Sequence, residues 1–309
     1  MTLPTTLVEA PLPTAPRSRP RAGSWAPRNG HLFVLPYVVL LMFFGAVPVL
    51  YSVYLAFTDG DGRFAGLSNF TETFSDFRFV PAVTHVAAFV LIWLIALTVF
   101  VVLLALVIHR VVSRRSRTAL RFAYFVPGAL AGASSVMLWL FLLDPSVSPV
   151  SSLLHQLGYD KFTDVIAPGH LPSIFALVAF WTGAGGWILV LYGALNTISS
   201  EVIEAAKVDG AGPIRTAVSI ELPMIRKWIV YMLILSFAAG TQLFVEPKVL
   251  SQASHGVVPN DYSLNQLAYL YAFRQTDFSG SAAISLMLLI VALGLSTVFI
   301  FRGRLFEVD

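Results

Sequence analysis

Six long apolar runs follow one another along this chain, and they limit its fold more than any other feature. Each run can cross a hydrocarbon core of about 30 Å as a helix of about twenty residues. The runs cover residues 32–57, 80–108, 120–143, 171–195, 228–244 and 282–301. Because lipid offers no water to satisfy backbone polar groups, such segments fold as helices. The pattern predicts an all-α membrane protein with six transmembrane helices.

The composition agrees with a surface that faces lipid. Of the 309 residues, 57% are apolar and 12% are charged. A soluble domain of this length needs more charge to cover its surface. The chain has no cysteine, which excludes disulfides and thiolate metal sites. Its six histidines are scattered without a pair at ligand spacing, and its net charge of +3 is too small to indicate nucleic acid.

The basic residues predict the orientation in the membrane. If the N-terminus is cytoplasmic, fifteen of the 20 lysines and arginines fall on the cytoplasmic side. The five that remain outside are Arg63, Arg78, Lys161, Lys248 and Arg274. By the positive-inside rule, both termini and the polar segment 197–226 are then cytoplasmic. Residues 1–30, which are rich in proline and arginine, are expected to form a disordered cytoplasmic tail ahead of a transmembrane domain at 31–309.

The polar segment 197–226 predicts a short helical hairpin between the fourth and fifth runs. Ser199 or Ser200 can cap its first helix. Glu201 lies in the first turn, where its charge complements the positive end of the helix dipole. Gly210 can adopt the left-handed conformation that ends the helix.

The second helix of the hairpin is expected to begin at Pro213, which suits the first helical position. It is expected to stop before Leu222 and Pro223. The first helix presents a face of small side chains at helical spacing, made up of Val202, Ala205, Ala206 and Asp209. A partner protein could approach such a face closely. On periodicity alone, a surface helix that rests on lipid headgroups explains the hairpin equally well.

The residues of the hairpin resemble a known family. Glu204, Ala205 and Ala206 are followed after two residues by Asp209, Gly210 and Ala211, and after ten more by Leu222 and Pro223. This pattern is similar to the cytoplasmic loop, or EAA motif, of the permease subunits of binding-protein-dependent ABC importers. The carbohydrate-uptake branch, of maltose or glycerol-3-phosphate type, is the most similar, since residues 35–36, 66–70 and 278–283 also resemble it. Ala217 departs from the family, which usually has a bulky aromatic there.

The resemblance implies a type I ABC importer permease architecture and a set of partners. These are a second homologous permease subunit, an ATP-binding cassette ATPase dimer, an extracytoplasmic solute-binding protein, membrane lipid and a sugar substrate, at the cytoplasmic membrane of a prokaryote. The hairpin would serve as the coupling helix that contacts the ATPase. The coupling residues that the resemblance implies are Glu204, Ala205, Ala206, Asp209, Gly210, Ala211, Leu222 and Pro223.

The chain is predicted to be a transporter subunit rather than an enzyme. A phosphate-binding P-loop needs a lysine after a glycine, and none of the lysines of this chain follows one. ATP and Mg²⁺ are therefore expected on the partner ATPase, with no cofactor on this chain. No catalytic residue and no metal site is predicted.

The substrate site is expected midway along the runs on either side of the hairpin, as the resemblance implies. The candidates are Thr182, Gly183, Trp187, Ser236, Thr241, Gln242 and Phe244. Sugars bind to aromatic faces and hydrogen-bonding groups, which these side chains provide. The alternative is that the hydroxyls bond their own helix backbone and that Gly183, Gly185 and Gly186 let helices pack closely. Trp187 and Gln242 fit substrate binding best.

Two other function classes stay open, a secondary transporter and another polytopic membrane protein without an ATPase partner. A secondary transporter needs ionisable groups within its spans. Arg121 and Glu246 are the nearest candidates, and both lie at span edges; Glu246 is expected to pair with Lys248. A basic cluster that sets the topology, and that could contact anionic lipid, is made up of Arg110, Arg114, Arg115 and Arg117. The sequence does not decide between a sugar and a polyol phosphate.

Overall fold

The computed structural model describes residues 30–130, 132–254 and 256–303. The predicted tail lies outside these residues except for Gly30. The described chain is helical and contains no strand; its one β-type contact is the bridge between Thr58 and Phe64. The chain divides into two compact units at the bond between Val49 and Leu50. The first unit ends within helix α1, and the second unit contains all later helices.

Helix α1 comprises Gly30–Leu41, a π-helical turn at Met42–Ala46, and Val47–Ala56. In chain order, the later helices are α2 (Ser68–Ser75), α3 (Phe79–Ala96, a π turn at Leu97–Val101, and Val102–Arg110), α4 (Arg114–Phe125, followed by a 3-10 turn at Val126–Leu130), α5 (Ala133–Leu143), α6 (Ser151–Gln156), α7 (Phe162–Val165), α8 (Leu171–Leu195), α9 (Ser200–Val208), α10 (Pro213–Thr216, a π turn at Ala217–Glu221, and Leu222–Met224), α11 (Arg226–Gly240), α12 (Val245–Ala253), α13 (Leu264–Arg274) and α14 (Phe278–Gly303).

Four helices are long and apolar enough to cross a membrane. They are Phe33–Ala56, Phe79–Arg110, Leu171–Leu195 and Phe278–Arg302. These match the first, second, fourth and sixth predicted runs. Two bent helix pairs raise the possible number of spans to six, so six spans and the terminal orientation stay predictions.

The third run is not one continuous helix, and the helix of the fifth run ends earlier than the sequence had suggested. In the third, α4 ends at Phe125 and a 3-10 turn that contains Pro127 follows it. Proline has no N–H to donate, so it interrupts the helical ladder there. In the fifth, α11 ends at Gly240 and the chain starts a new helix at Val245. The two helices of the third run differ in direction by 102°, and α10 and α11 differ by 67°.

The main hydrophobic core lies between α3, α8 and α11. Trp93 of α3 packs close to both Gly183 of α8 and Gly240 of α11. Gly185 of α8 lies directly against the backbone of Tyr124 at the end of α4. Because lipid tails are as apolar as leucine, helices in a membrane associate through such close packing. The small residues therefore fix how α8 packs against its neighbours.

A polar cluster joins the segment between α2 and α3 to α13. Arg78 forms a salt bridge of 2.6 Å with Asp76, and the Tyr271 hydroxyl donates to the same carboxylate at 2.7 Å. The hydrogen bond from Arg78 is the main cause that lowers the pKa of Asp76 to about 2. Burial, with the hydrogen bond to Asp76, raises the pKa of Tyr271 to about 12. The cluster ties two segments that are far apart in the sequence.

Candidate functional site

The first helix of the hairpin, α9, forms as predicted. Ser199 is its N-cap residue in an extended conformation, although its side chain makes no capping hydrogen bond. Gly210 has a φ of +76°, the left-handed conformation expected of it. The Gly210 N–H donates to the Lys207 carbonyl at 3.0 Å, and the Ala211 N–H donates to the Ala206 carbonyl at 2.9 Å. These two bonds form a Schellman motif, which closes the helix through the backbone alone.

The second helix, α10, begins at Pro213 as predicted but runs further than expected. The stop before Leu222 is wrong, because the chain passes through the π turn Ala217–Glu221 and stays helical to Met224. A π turn shifts the hydrogen-bond pattern, so the missing N–H of Pro223 falls at the start of a new α-helical turn and breaks no ladder. The departure from the family at Ala217 lies at a buried position within this turn.

The structure divides the predicted coupling residues into two groups. Those on the exposed surface of the hairpin are Glu204, Ala205, Asp209, Gly210 and Pro223. Ala206 is buried, Leu222 packs against the main core, and Ala211 is half-buried. Ala206 is therefore not part of the exposed face of small side chains that was predicted for α9, since a helix on a surface turns one side inward. Among the described residues, the Asp209 carboxylate accepts no hydrogen bond, and backbone hydrogen bonds close the glycine turn beside it.

Exposed apolar side chains lie on the same hairpin, and sequence reasoning did not identify them. Val208 is 87% exposed and Ile214 is 80% exposed, and Val218 of the π turn is also exposed. The glycine turn separates the first two along the chain. Large apolar side chains that remain uncovered next to charged ones are typical of an interaction surface.

A buried ion pair holds α10 against the end of α3. The Arg110 guanidinium Nη2 lies 3.1 Å from Glu221 Oε2 and donates to the Pro213 carbonyl at 2.7 Å. The Glu221 side chain is only 4% exposed. The Arg110 guanidinium therefore contacts the hairpin, and the role of its basic cluster in setting the topology stays a prediction. No local sequence signal could reveal this contact between residues so far apart in the chain.

Three of the substrate candidates make contacts that fit the alternative, in which hydroxyls bond their own helix backbone and glycines let helices pack closely. The Thr182 hydroxyl donates to the Val178 carbonyl at 3.1 Å, and the Thr241 hydroxyl donates to the Ala238 carbonyl at 2.9 Å. Both bonds stay within the residue's own helix, as is common for threonine. Gly183 lies close to the Trp93 ring.

The other candidates fall into separate groups. Trp187 packs edge-on against Tyr231 of α11, with ring centroids 6.0 Å apart. Ser236 is buried, and its hydroxyl has no hydrogen-bond partner among the described residues. Gln242 is exposed, and its Oε1 accepts a hydrogen bond of 3.3 Å from Asn265.

An aromatic cluster lies close to Gln242 in the sequence. The Phe244 ring is 5.7 Å from that of Tyr269, and the Lys248 ammonium lies 4.6 Å from the Tyr269 centroid. The predicted pairing of Glu246 with Lys248 is therefore wrong, since the ammonium lies over an aromatic face. Burial raises the pKa of Glu246. In the described ranges, no group of three acidic or histidine side chains could hold a metal ion.

Comparison with known proteins finds permeases of similar length. The chain is 31% identical over 282 residues to the sn-glycerol-3-phosphate transport system permease protein UgpA of Yersinia pseudotuberculosis, which covers 89% of this chain and 93% of that protein. It is 27% identical over 291 residues to the multiple sugar-binding transport system permease protein MsmF of Streptococcus mutans, covering 90% and 96%. No family model matches the sequence.

A solved structure shares the fold. It is the crystal structure of a bacterial alginate ABC transporter in complex with an alginate pentasaccharide-bound periplasmic protein. One of its chains superposes with a TM-score of 0.78 at 21% identity, and the match covers 90% of this chain and 96% of that one. The helical arrangement of this chain as a whole is thus one that a solved transporter also has.

Proposed function

This chain belongs to the family of ABC importer permease subunits that includes the sn-glycerol-3-phosphate permease UgpA, and we propose that it forms half of the translocation pathway of an ATP-driven carbohydrate importer. Its partners would be a second homologous permease, an ATPase dimer and an extracytoplasmic solute-binding protein, in the cytoplasmic membrane of a prokaryote. A periplasmic protein is part of the alginate transporter whose fold this chain shares. The transported substrate would be a sugar.

The surface of the hairpin is the observation that carries this proposal. Glu204 and Ala205 lie exposed on α9, with the uncovered side chains of Val208 and Ile214 on the same hairpin. Burial of an exposed valine or isoleucine stabilises a complex by about 1.5–3 kcal/mol. A groove on a partner protein could cover the apolar side chains and pair Glu204 with a basic group at the same time.

The position of the hairpin suggests how it would act. It connects directly to α8 at one end and to α11 at the other; these helices carry four of the seven substrate candidates, and the other three follow α11. When the ATPase dimer closes, a shift of the hairpin would move both helices, and the pathway would open alternately to each side of the membrane. ATP and Mg²⁺ would bind to the partner, and this chain would pass on the motion.

The side chains near α12 and α13 support a sugar as the substrate. Gln242 and Asn265 offer amide groups, while Phe244 and Tyr269 offer aromatic faces. Sugars combine hydroxyls with apolar C–H faces, so sites of this composition suit them. A phosphorylated substrate would require basic side chains, and none of the substrate candidates is basic.

Transport by the reconstituted importer tests the coupling role. In proteoliposomes, we expect uptake to require ATP and the ATPase subunit, and to persist in the presence of a proton uncoupler. Glu204→Lys should lower uptake by about tenfold or more, since it reverses the charge at the contact. The control is Asp160→Lys, which makes the same charge change between α6 and α7 at a side chain that is 81% exposed. This variant should take up substrate at the normal rate. Uptake that needs no ATPase and stops with the uncoupler would instead identify a secondary transporter.

The substrate class has its own test. We expect a solute-binding protein loaded with a neutral sugar to stimulate ATP hydrolysis by the complex. A panel of mono- and oligosaccharides would be compared with glycerol phosphate. Stimulation by glycerol phosphate alone would contradict the assignment to carbohydrate and leave the coupling role intact.

A further inference from the structure

We propose that Arg110 and Glu221 are positioning residues that clamp the coupling hairpin to the end of α3, so that α3 moves with the hairpin during transport. This inference rests on the proposed function and adds a third helix to the two that continue directly from the hairpin. The residues of this clamp are Arg110, Glu221 and the carbonyl of Pro213.

The geometry joins two parts of α10, its start and its π turn, to one side chain. Arg110 is the last residue of α3. Its Nη2 contacts Pro213, the first residue of α10, and Glu221, the last residue of the π turn. One guanidinium therefore holds both the start of α10 and its π turn. A displacement of α10 in any direction must either carry Arg110 along or break these bonds.

The burial of Glu221 makes the pair hard to replace. A carboxylate that is 4% exposed has little water to stabilise its charge. If Arg110 is removed, Glu221 stays buried without its partner, which costs far more than the loss of an ion pair on the surface. Arg110 is itself 38% exposed, so water compensates for the loss of its partner more readily.

Close packing does not join the hairpin to α3 at this point. A cavity of about 330 Å³ lies here, lined by His109, Arg110, Ile203, Lys207, Ala211, Pro213, Thr216 and Glu221. Arg110, Pro213 and Glu221 all line this cavity, and the polar contacts of Arg110 link the end of α3 directly to α10.

A second set of contacts extends the clamp to other helices. His109 Nε2 lies 3.9 Å from Glu221 Oε1. The His109 ring packs edge-on against Tyr192 of α8, and the Arg121 guanidinium of α4 lies 5.4 Å from the centroid of the same tyrosine. His109 thus links the buried carboxylate to Tyr192 of α8, and the same tyrosine links α8 to Arg121 of α4. Further along α3, Trp93 packs against α8 and α11, where the substrate candidates lie.

The test compares variants of the clamp in the complete importer. We expect Arg110→Gln and Glu221→Gln each to raise the number of ATP molecules hydrolysed per substrate imported by about fivefold, since the hairpin would then move without α3. The double variant should be no worse than the single ones. Arg115→Gln removes an exposed basic residue nearby and should keep the ratio of the original protein. A wild-type ratio in both single variants, or additive effects in the double variant, would overturn the clamp.

Two further measurements separate a clamp from a folding defect and from a failure of the proposed function. Arg110→Lys keeps the charge, and it should recover part of the coupling that Arg110→Gln loses. Hydrogen exchange of the amides in residues 213–221 can be followed in the purified complex without any transport. We expect it to rise about fivefold or more in Arg110→Gln, and by clearly more than the exchange of amides elsewhere in the complex, so that local opening is distinguished from a fall in global stability. Unchanged exchange would refute the clamp, whereas a wild-type complex without ATP-driven uptake would refute the proposed function alone.

Discussion

The substitution Gly185→Ala tests how tightly α8 packs against the end of α4. A Cβ atom at this position would overlap the carbonyl oxygen of Tyr124 and lie 2.7 Å from its carbonyl carbon. It would also lie 3.0 Å from the Phe125 Cα. All three atoms belong to the backbone, so no change of rotamer can relieve the contact. One of the two segments would have to move by about 1 Å to restore an ordinary separation.

The cost of that movement can be estimated. Overpacking by a methyl group that side chains can accommodate costs about 1–3 kcal/mol. Here a backbone must move, so we expect at least about 3 kcal/mol. Alanine normally stabilises a helix interior by about 0.5–1 kcal/mol relative to glycine, which offsets little of this. The melting temperature should therefore fall by about 5 °C or more.

The next residue along α8 provides a matched control. A Cβ atom at Gly186 would meet no atom within 4 Å. Gly186→Ala should therefore keep or slightly raise the stability through its helix propensity. Thermal unfolding of both variants in the same detergent, followed by tryptophan fluorescence, compares them directly. Equal melting temperatures for the two variants would refute the proposed close contact between α8 and Tyr124.

Two other predictions follow from the hairpin and the polar cluster. Gly210→Val should disturb the left-handed turn at a cost of about 1–2 kcal/mol and lower ATP-driven uptake. The control is Gly212→Ala, which should keep normal uptake because φ at this position is −70°. Equal uptake by the two variants would contradict the role of the turn. Because the pKa of Asp76 is lowered from 3.8 to about 2, its ionised form stabilises the fold above pH 4, and this contribution disappears as the pH falls toward 2. Asp76→Asn should therefore lower the unfolding free energy by about 2 kcal/mol at pH 7 and by much less near pH 2. Urea unfolding at both pH values tests this, with Asp160→Asn as the exposed control; a pH-independent effect would contradict it.

The spans that the sequence predicted correctly are those whose signal is local. The run that forms α3 has no charge between Ala87 and Ile108, and a long apolar segment has few other solutions in lipid. Gly210 and Pro213 likewise fix the ends of α9 and the start of α10 through their own backbone preferences. In each case the residue itself limits the conformation, so neighbours in the sequence suffice to predict the structure.

The features that the sequence did not reveal depend on contacts between distant segments. The end of α11 coincides with Gly240, where a Cβ atom would lie 2.9 Å from the Trp93 ring of α3. Glu221 becomes a buried partner only because the end of α3 brings Arg110 to it. Lys248 lies over Tyr269, a residue of α13, and not beside Glu246 two positions away. None of these relations follows from periodicity or composition.

The π turn in α10 also limits how many residues can separate Pro213 from Glu221. Eight positions separate Pro213 from Glu221, and in a regular α-helix they would lie about 80° apart around the axis. The wider turn absorbs most of this angle and brings the two positions toward the same side of the helix. Insertion of a single residue between Thr216 and Leu222 would rotate the carboxylate by about 100°, away from its arginine. Deletion of one residue would instead turn the π turn into a regular helix, in which the remaining seven positions lie only about 20° apart around the axis. Related permeases that keep this acidic residue should therefore tolerate many substitutions here but no insertion.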